Sequence, residues 1–308
     1  MDRREFIKLA TCAGIGSVLL PGCTQESQKM SEKPAVTGST QSGTADLIVV
    51  QGNDPEGMVG RGFEALGGIG RFVKSGNTVT IKPNFSFPQS PEQGCTTNPF
   101  LVAGVVKMCL QAGAKEVKVI DYTIGNPTIC LEKTGIKKAV TAAGGKVYAL
   151  NNEVDRYFQA VNANGKKLQE FDFSKDVLEA DVFINMPILK EHSITNLTMG
   201  LKNMMGLIWD RGAFHAGDLD RSIAELAAFK KPNLTILDAI RGITAKGPRG
   251  PGPVKEYNEV IFGTDPVAVD AYGANLFGIK PAKIHHVRIA AEIGLGQLDW
   301  EKLNVKRV

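Results

Sequence analysis

From Asp46 onward the chain alternates two hydrophobic patterns. Short runs of consecutive apolar residues, rich in Val and Ile, predict strands over residues 46–50, 78–82, 116–121, 146–150, 181–185, 233–237 and 259–262. Between them, stretches in which apolar residues recur with helical spacing predict helices over 58–73, 99–112, 136–143, 197–208, 219–229, 266–277 and 282–293. The punctuation agrees. Asn98 stands where an N-cap accepts the first free N–H groups, Pro99 has no N–H to lose at the first helical position, and Gly113 supplies a stop. Strands that are apolar without alternation bury both faces. The pattern therefore predicts an α/β fold, a mainly parallel central sheet with helices on both faces, in a single domain over 46–308.

The start of the chain follows neither pattern. Arg3-Arg4 ahead of Phe6-Ile7-Lys8 matches the twin-arginine export signal, which a receptor reads and the fold does not use. The apolar run over 9–20 is too short to cross a bilayer, and Gly14 and Gly16 weaken it as a helix. Leu20-Pro21-Gly22-Cys23 resembles the lipobox of bacterial lipoproteins, with Cys23 as the acylated residue. The expectation is a signal peptide over 1–22 and a flexible Ser/Thr/Gln/Gly-rich tether over 23–45. The twin-arginine translocase would be a partner during export. The protein would then sit in the periplasm or on the outer face of the membrane, held only by the lipid on Cys23.

Composition narrows the function classes. A hydrophobic share of 43% and a charged share of 22% are those of an ordinary globular protein. A net charge of +4, with no Arg/Lys cluster interleaved with aromatics, argues against nucleic acid as a partner. Of five cysteines, Cys95, Cys109 and Cys130 fall in the domain. They lack Cys-x-x-Cys spacing, so they form no self-contained zinc or iron–sulfur site, although one disulfide among them stays open. Cys109 falls in a helix and reads as core.

Polar residues gather at the carboxyl ends of the predicted strands, where open α/β sheets bind ligands. These ends are Lys82-Pro83-Asn84, Asp121-Tyr122-Thr123, Lys190-Glu191-His192, Asp238 and Thr264-Asp265-Pro266. Asp265 before Pro266 reads as a helix cap, and Asp121 and Asp238 are open between capping and function. Lys82, Lys190, Lys202 and Arg211 would surround an anion, with helix N-terminal N–H groups near Thr195 as further donors. His192 and His215 with Asp210 or Asp218 would alternatively make a two-histidine, one-carboxylate metal site, though the spacing matches no standard metal motif. Met199, Leu201, Met204 and Met205 read as a core-facing helix surface, and His285-His286 as structural or surface residues. The Gly/Pro-rich stretch 247–253 would be a surface loop or a lid, with Arg249 or Lys246 reaching an anion.

These residues together resemble a bacterial and archaeal family known as domain of unknown function 362. The likeness rests on Ile81-Lys82-Pro83-Asn84, Thr96-Thr97-Asn98-Pro99, Ala112-Gly113-Ala114-Lys115-Glu116-Val117, Lys190-Glu191-His192, Gly200-Leu201-Lys202-Asn203, the run from Gly263 to Asp270, and Gly294-Leu295-Gly296. It covers most of residues 46–300. The resemblance implies no particular activity. Some relatives are joined to ferredoxin-type iron–sulfur modules, which implies a redox setting for part of the family. This sequence carries no such module, and its cofactor, if it has one, is left unknown.

The candidate site is therefore catalytic His192, His215 and Asp121, with Lys82, Asn84, Lys190, Lys202, Asn203 and Arg211 binding an anionic small molecule. A histidine would serve as general acid or base, and Asp121 or Asp238 would orient it or bind a metal. The alternative is a non-catalytic protein that captures a ligand or helps assemble a periplasmic redox enzyme with the same rim.

Overall fold

The computed structural model describes residues 45–215 and 217–308. The expected export signal, Cys23 and all of the tether but Ala45 lie outside the described residues.

Among the described residues the strands are β1 (Leu47–Gln51), β2 (Thr78–Pro83), β3 (Glu116–Tyr122), β4 (Lys146–Leu150), β5 (Phe158–Asn162), β6 (Glu170–Ser174), β7 (Val182–Met186), β8 (Lys190–His192), β9 (Asn196–Thr198), β10 (Leu234–Ile243), β11 (Val254–Gly263) and β12 (Val305–Arg307). The helices are α1 (Pro55–Ala65), α2 (Pro99–Gln111), α3 (Pro127–Lys133), α4 (Ile136–Ala142), α5 (Val154–Tyr157), α6 (Lys175–Leu178), α7 (Gly200–Asn203), α8 (Arg211–His215), α9 (Leu219–Phe229), α10 (Pro266–Leu276) and α11 (His285–Glu292). Eight strands form one sheet in the order β12-β1-β11-β10-β7-β2-β3-β4. Every neighbouring pair is parallel except those made by β11, which runs against both β1 and β10. The mainly parallel α/β reading holds.

The period of two in a strand explains the unbroken apolar runs. In β1, Leu47 and Val49 enter one core and Ile48 and Val50 the other. The first core lies under α7, α9, α10 and α11, and the second under α1, α2, α3 and α4. Asn98 caps α2 by accepting from the Phe100 N–H at 3.0 Å. Asp265 caps α10 from Val267 and Ala268. Cys109 is core, as read, while the open disulfide is not formed: Cys95, Cys109 and Cys130 are all buried and free.

Three sequence expectations change, and some elements come without one. The helix over 58–73 stops at Ala65, because Gly67 and Gly68 turn the backbone to φ 86 and 92 and only a 3-10 turn follows. The helix over 197–208 becomes β9, the single turn α7 and a 3-10 turn over Met204–Leu207. Asp270 causes that break, since its buried carboxylate accepts the Gly200 and Leu201 N–H groups at 2.7 and 2.9 Å and starts a new turn there. Thr195 is therefore not at a helix N-terminus. It sits in the turn between the paired strands β8 and β9. Finally, the hairpin β5–β6 and helix α3 carry too few consecutive apolar residues to register as elements, although Asn126-Pro127 is the same cap signal as Asn98-Pro99.

Candidate functional site

A cavity of about 90 Å³ opens beyond the carboxyl ends of β2, β3 and β7. Its walls include Lys82, Asn84, Lys190, His192, Lys202, Asn203, Arg211 and His215, so eight of the nine predicted residues come together. Ser86, Phe87, Ile124, Thr198 and Gly206 complete it and escaped the sequence reading, along with Met205, read as a core-facing helix residue, and Pro248, in the stretch read as a surface loop or lid. Small, apolar and loop residues carry no chemical signature of a site.

Asp121 is the ninth, and it lies beneath the cavity rather than on its wall. It is fully buried and forms an ion pair with Lys82 at 2.8 Å. Its other oxygen accepts from the Phe85 N–H at 3.0 Å and the Ser86 hydroxyl at 2.9 Å. A carboxylate so engaged anchors the floor, and none of its hydrogen bonds reaches either histidine.

Asn203 ties the floor together. Its Oδ1 accepts from Lys82 Nζ at 2.9 Å and from Asn84 Nδ2 at 3.2 Å, and its Nδ2 donates to the Lys82 carbonyl and to Asn185. Lys190 Nζ donates to Asn84 Oδ1 at 3.1 Å and to the Cys95 carbonyl at 2.5 Å, and lies 4.9 Å from the Phe87 ring centroid. Arg211 donates to the carbonyls of Tyr122 and Thr123 and stacks 4.3 Å over the Tyr122 ring, which Trp209 covers in turn. Lys202 differs: among the described residues its buried ammonium has one hydrogen-bond partner, the Met205 thioether at 3.7 Å, and Asp220 acts on it only through its charge.

The electrostatics are one-sided. Four basic side chains and two histidines line the wall, and among the described residues no carboxylate does. Desolvation lowers the pKa of Lys82 against the pull of Asp121. It pushes Lys190 down to about 7 and Lys202 down to about 8. Burial, aided by Lys202 and Lys190, pushes His192 down to about 3, so its ring is neutral. His192 Nδ1 accepts the Ile194 N–H at 3.1 Å, which leaves the proton on Nε2. His215 is exposed on α8, and desolvation lowers its pKa as well.

Other expected contributors fall elsewhere. Asp238 caps the chain, accepting from the Asn98 and Ile240 N–H groups, and desolvation raises its pKa to about 6. Asp265 is remote for a topological reason: β11 is antiparallel, and its last residue Gly263 pairs with the first residue of β1. The two-histidine, one-carboxylate site is not assembled, since among the described residues no group of three or more His, Cys, Asp or Glu is placed to hold a metal ion. Of the Gly/Pro-rich loop, Pro248 reaches the cavity wall, not Lys246 or Arg249. His286 is buried against Asp220, and His285 is surface.

A family model described as "Domain of unknown function (DUF362)" matches residues 79–275. The chain is similar to a thylakoid-associated protein of Synechocystis sp., 29% identical over 241 residues that make up 76% of this chain and 73% of the relative. Its fold resembles the lactate racemase apoprotein of Thermoanaerobacterium thermosaccharolyticum at a TM-score of 0.47 and 12% identity, covering 74% of this chain and 56% of that one. A likeness that distant carries nothing about activity.

Proposed function

Because the chain belongs to the DUF362 family, described as a domain of unknown function, its activity has to be read from the cavity itself, and we propose an enzyme acting on a small anionic molecule. One observation carries this: the wall holds Lys82, Lys190, Lys202 and Arg211, and among the described residues no carboxylate lines it. Buried cations cost several kcal/mol each unless compensated, and among the described residues the one direct ion pair these four make is that of Lys82 with Asp121. A carboxylate or phosphate supplies the missing charge. A volume of about 90 Å³ suits a molecule of a few heavy atoms and is far below the several hundred Å³ of a nucleotide-sized pocket. His192, with its proton on Nε2, would donate a hydrogen bond to the bound anion. His215 at the mouth would then move protons.

The test is calorimetry with oxalate, a small dianion whose charge is constant above about pH 6. Ammonium groups hold the anion, so affinity is expected to fall as pH rises through about 7 and then about 8, where Lys190 and Lys202 lose their protons. Lys190→Met is expected to weaken binding about tenfold or more, the cost of one lost charge-assisted contact. Absence of oxalate binding at every pH, or an affinity indifferent to pH, would falsify the reading.

The exported, lipid-anchored setting remains part of the proposal. It is supported by Arg3-Arg4, by Cys23, and by the thylakoid association in the name of the Synechocystis relative. Cys23→Ala is expected to move the protein from the detergent phase to the aqueous phase in a phase-partition assay. Equal partitioning of both forms would remove the anchor.

A further inference from the structure

We propose that Lys202 is a covalent amine catalyst that forms an imine with the carbonyl of a small oxo acid, an inference that rests on the anion site above. Three lysines line the cavity, and their surroundings set them apart. Lys82 Nζ contacts three oxygens: Asp121 Oδ1, Asn203 Oδ1 and the Pro83 carbonyl. Lys190 Nζ contacts two oxygens and an aromatic face. Lys82 is held as a cation by its carboxylate, and Lys190 Nζ is fixed in place by its two oxygen acceptors. Among the described residues Lys202 Nζ, 8% exposed as a residue, has as its hydrogen-bond partner only a sulfur that accepts poorly. Desolvation lowers the pKa of Lys202 to about 8 against the pull of Asp220, so a share of it is free base near neutral pH, and a desolvated lysine is how an amine nucleophile is made there.

The backbone that carries Lys202 is fixed on both sides. Asp270 holds the N–H groups of Gly200 and Leu201, and Asn203 is tied to Lys82, Asn84 and Asn185. The other cations would hold the carboxylate of the oxo acid and leave its carbonyl carbon to the amine. In the step, the nitrogen lone pair of Lys202 bonds to the carbonyl carbon, the C=O π electrons move to oxygen, and that oxygen leaves as water with both amine protons. The resulting C=N bond takes up one proton to become the iminium, an electron sink next to the carboxylate carbon. No oxidant or reductant is consumed.

Pyruvate with sodium cyanoborohydride tests this on the full chain. Hydride reduces the iminium and fixes one carboxyethyl group on nitrogen, located by intact mass and peptide mapping. The expected result is one such group, on Lys202, with labelling slowed by oxalate. It is lost in Lys202→Met and in Lys202→Arg, whose guanidinium keeps the charge but forms no stable imine. Lys202→Met is expected to melt at or above the temperature of the parent, since it removes a buried charge at nearly constant volume. Mapping on the unaltered chain decides the question even if a variant fails to fold. A protein that binds oxalate but carries pyruvate adducts only on surface lysines, or none, overturns the covalent role and leaves the anion site standing. A protein that neither binds oxalate nor labels Lys202 overturns both.

Discussion

Asp121→Ala is expected to destabilise the protein by about 3–5 kcal/mol, the cost of removing one partner of a buried ion pair. The pair is closed to solvent on both sides, with Lys82 1% and Asp121 0% exposed. Deleting the carboxylate leaves the Lys82 ammonium among carbonyl and amide oxygens that only partly offset its charge. It also strips acceptors from the Phe85 N–H and the Ser86 hydroxyl, which then lie buried without partners. Urea unfolding should show a large fall in midpoint at an unchanged slope. The double substitution Lys82→Met with Asp121→Leu should recover much of the loss, because removing both charges removes the desolvation cost with them. A single variant within about 1 kcal/mol of the parent would show that the pair is not the floor of the cavity.

Gly206→Ala is expected to do comparable damage without touching any charged residue. A Cβ on Gly206 would stand 2.2 Å from Asp121 Oδ1 and 2.8 Å from Lys82 Nζ, inside both van der Waals radii. These atoms cannot swing away, since each is pinned by other hydrogen bonds. The methyl group must therefore push into the ion pair or displace the 3-10 turn over Met204–Leu207, at about 1–3 kcal/mol for overpacking plus whatever coupling the pair loses. The Lys82 ammonium shifts with it, so oxalate binding should weaken by about tenfold or more. An alanine variant with unchanged oxalate affinity and unchanged midpoint would mean that the turn relaxes freely, and that Gly206 plays no part in setting the Lys82 position.

The two substitutions mark different depths of legibility. Asp121 could be found in the sequence, as a carboxylate ending an apolar strand, but its role could not: spacing alone does not tell a carboxylate facing a ligand from one facing a lysine on the adjoining strand. Gly206 had no signal of its own, since it fell inside the helix expected over 197–208. Its importance comes from the closeness of Lys82 and Asp121, which are more than eighty residues away in sequence.

Similar limits apply to the fold. Local physics was enough to read the strands as two-faced apolar runs, the caps at Asn98 and Asp265, the parallel character of the sheet and the rim bearing Lys82, Asn84, Lys190, His192, Lys202, Asn203, Arg211 and His215. Period, propensity and cap chemistry act within a few residues, so a single chain displays them directly. The tertiary structure alone decided that β11 runs antiparallel and takes Asp265 away from the rim. It also decided that Asp270 breaks the helix expected over 197–208, that the histidines lie apart from any carboxylate cluster, and that Lys202 is the one amine of the cavity left without an oxygen partner among the described residues. Each of these depends on which distant groups share a small, dry volume, and on the desolvation that such sharing imposes. Neither quantity exists until the chain has closed.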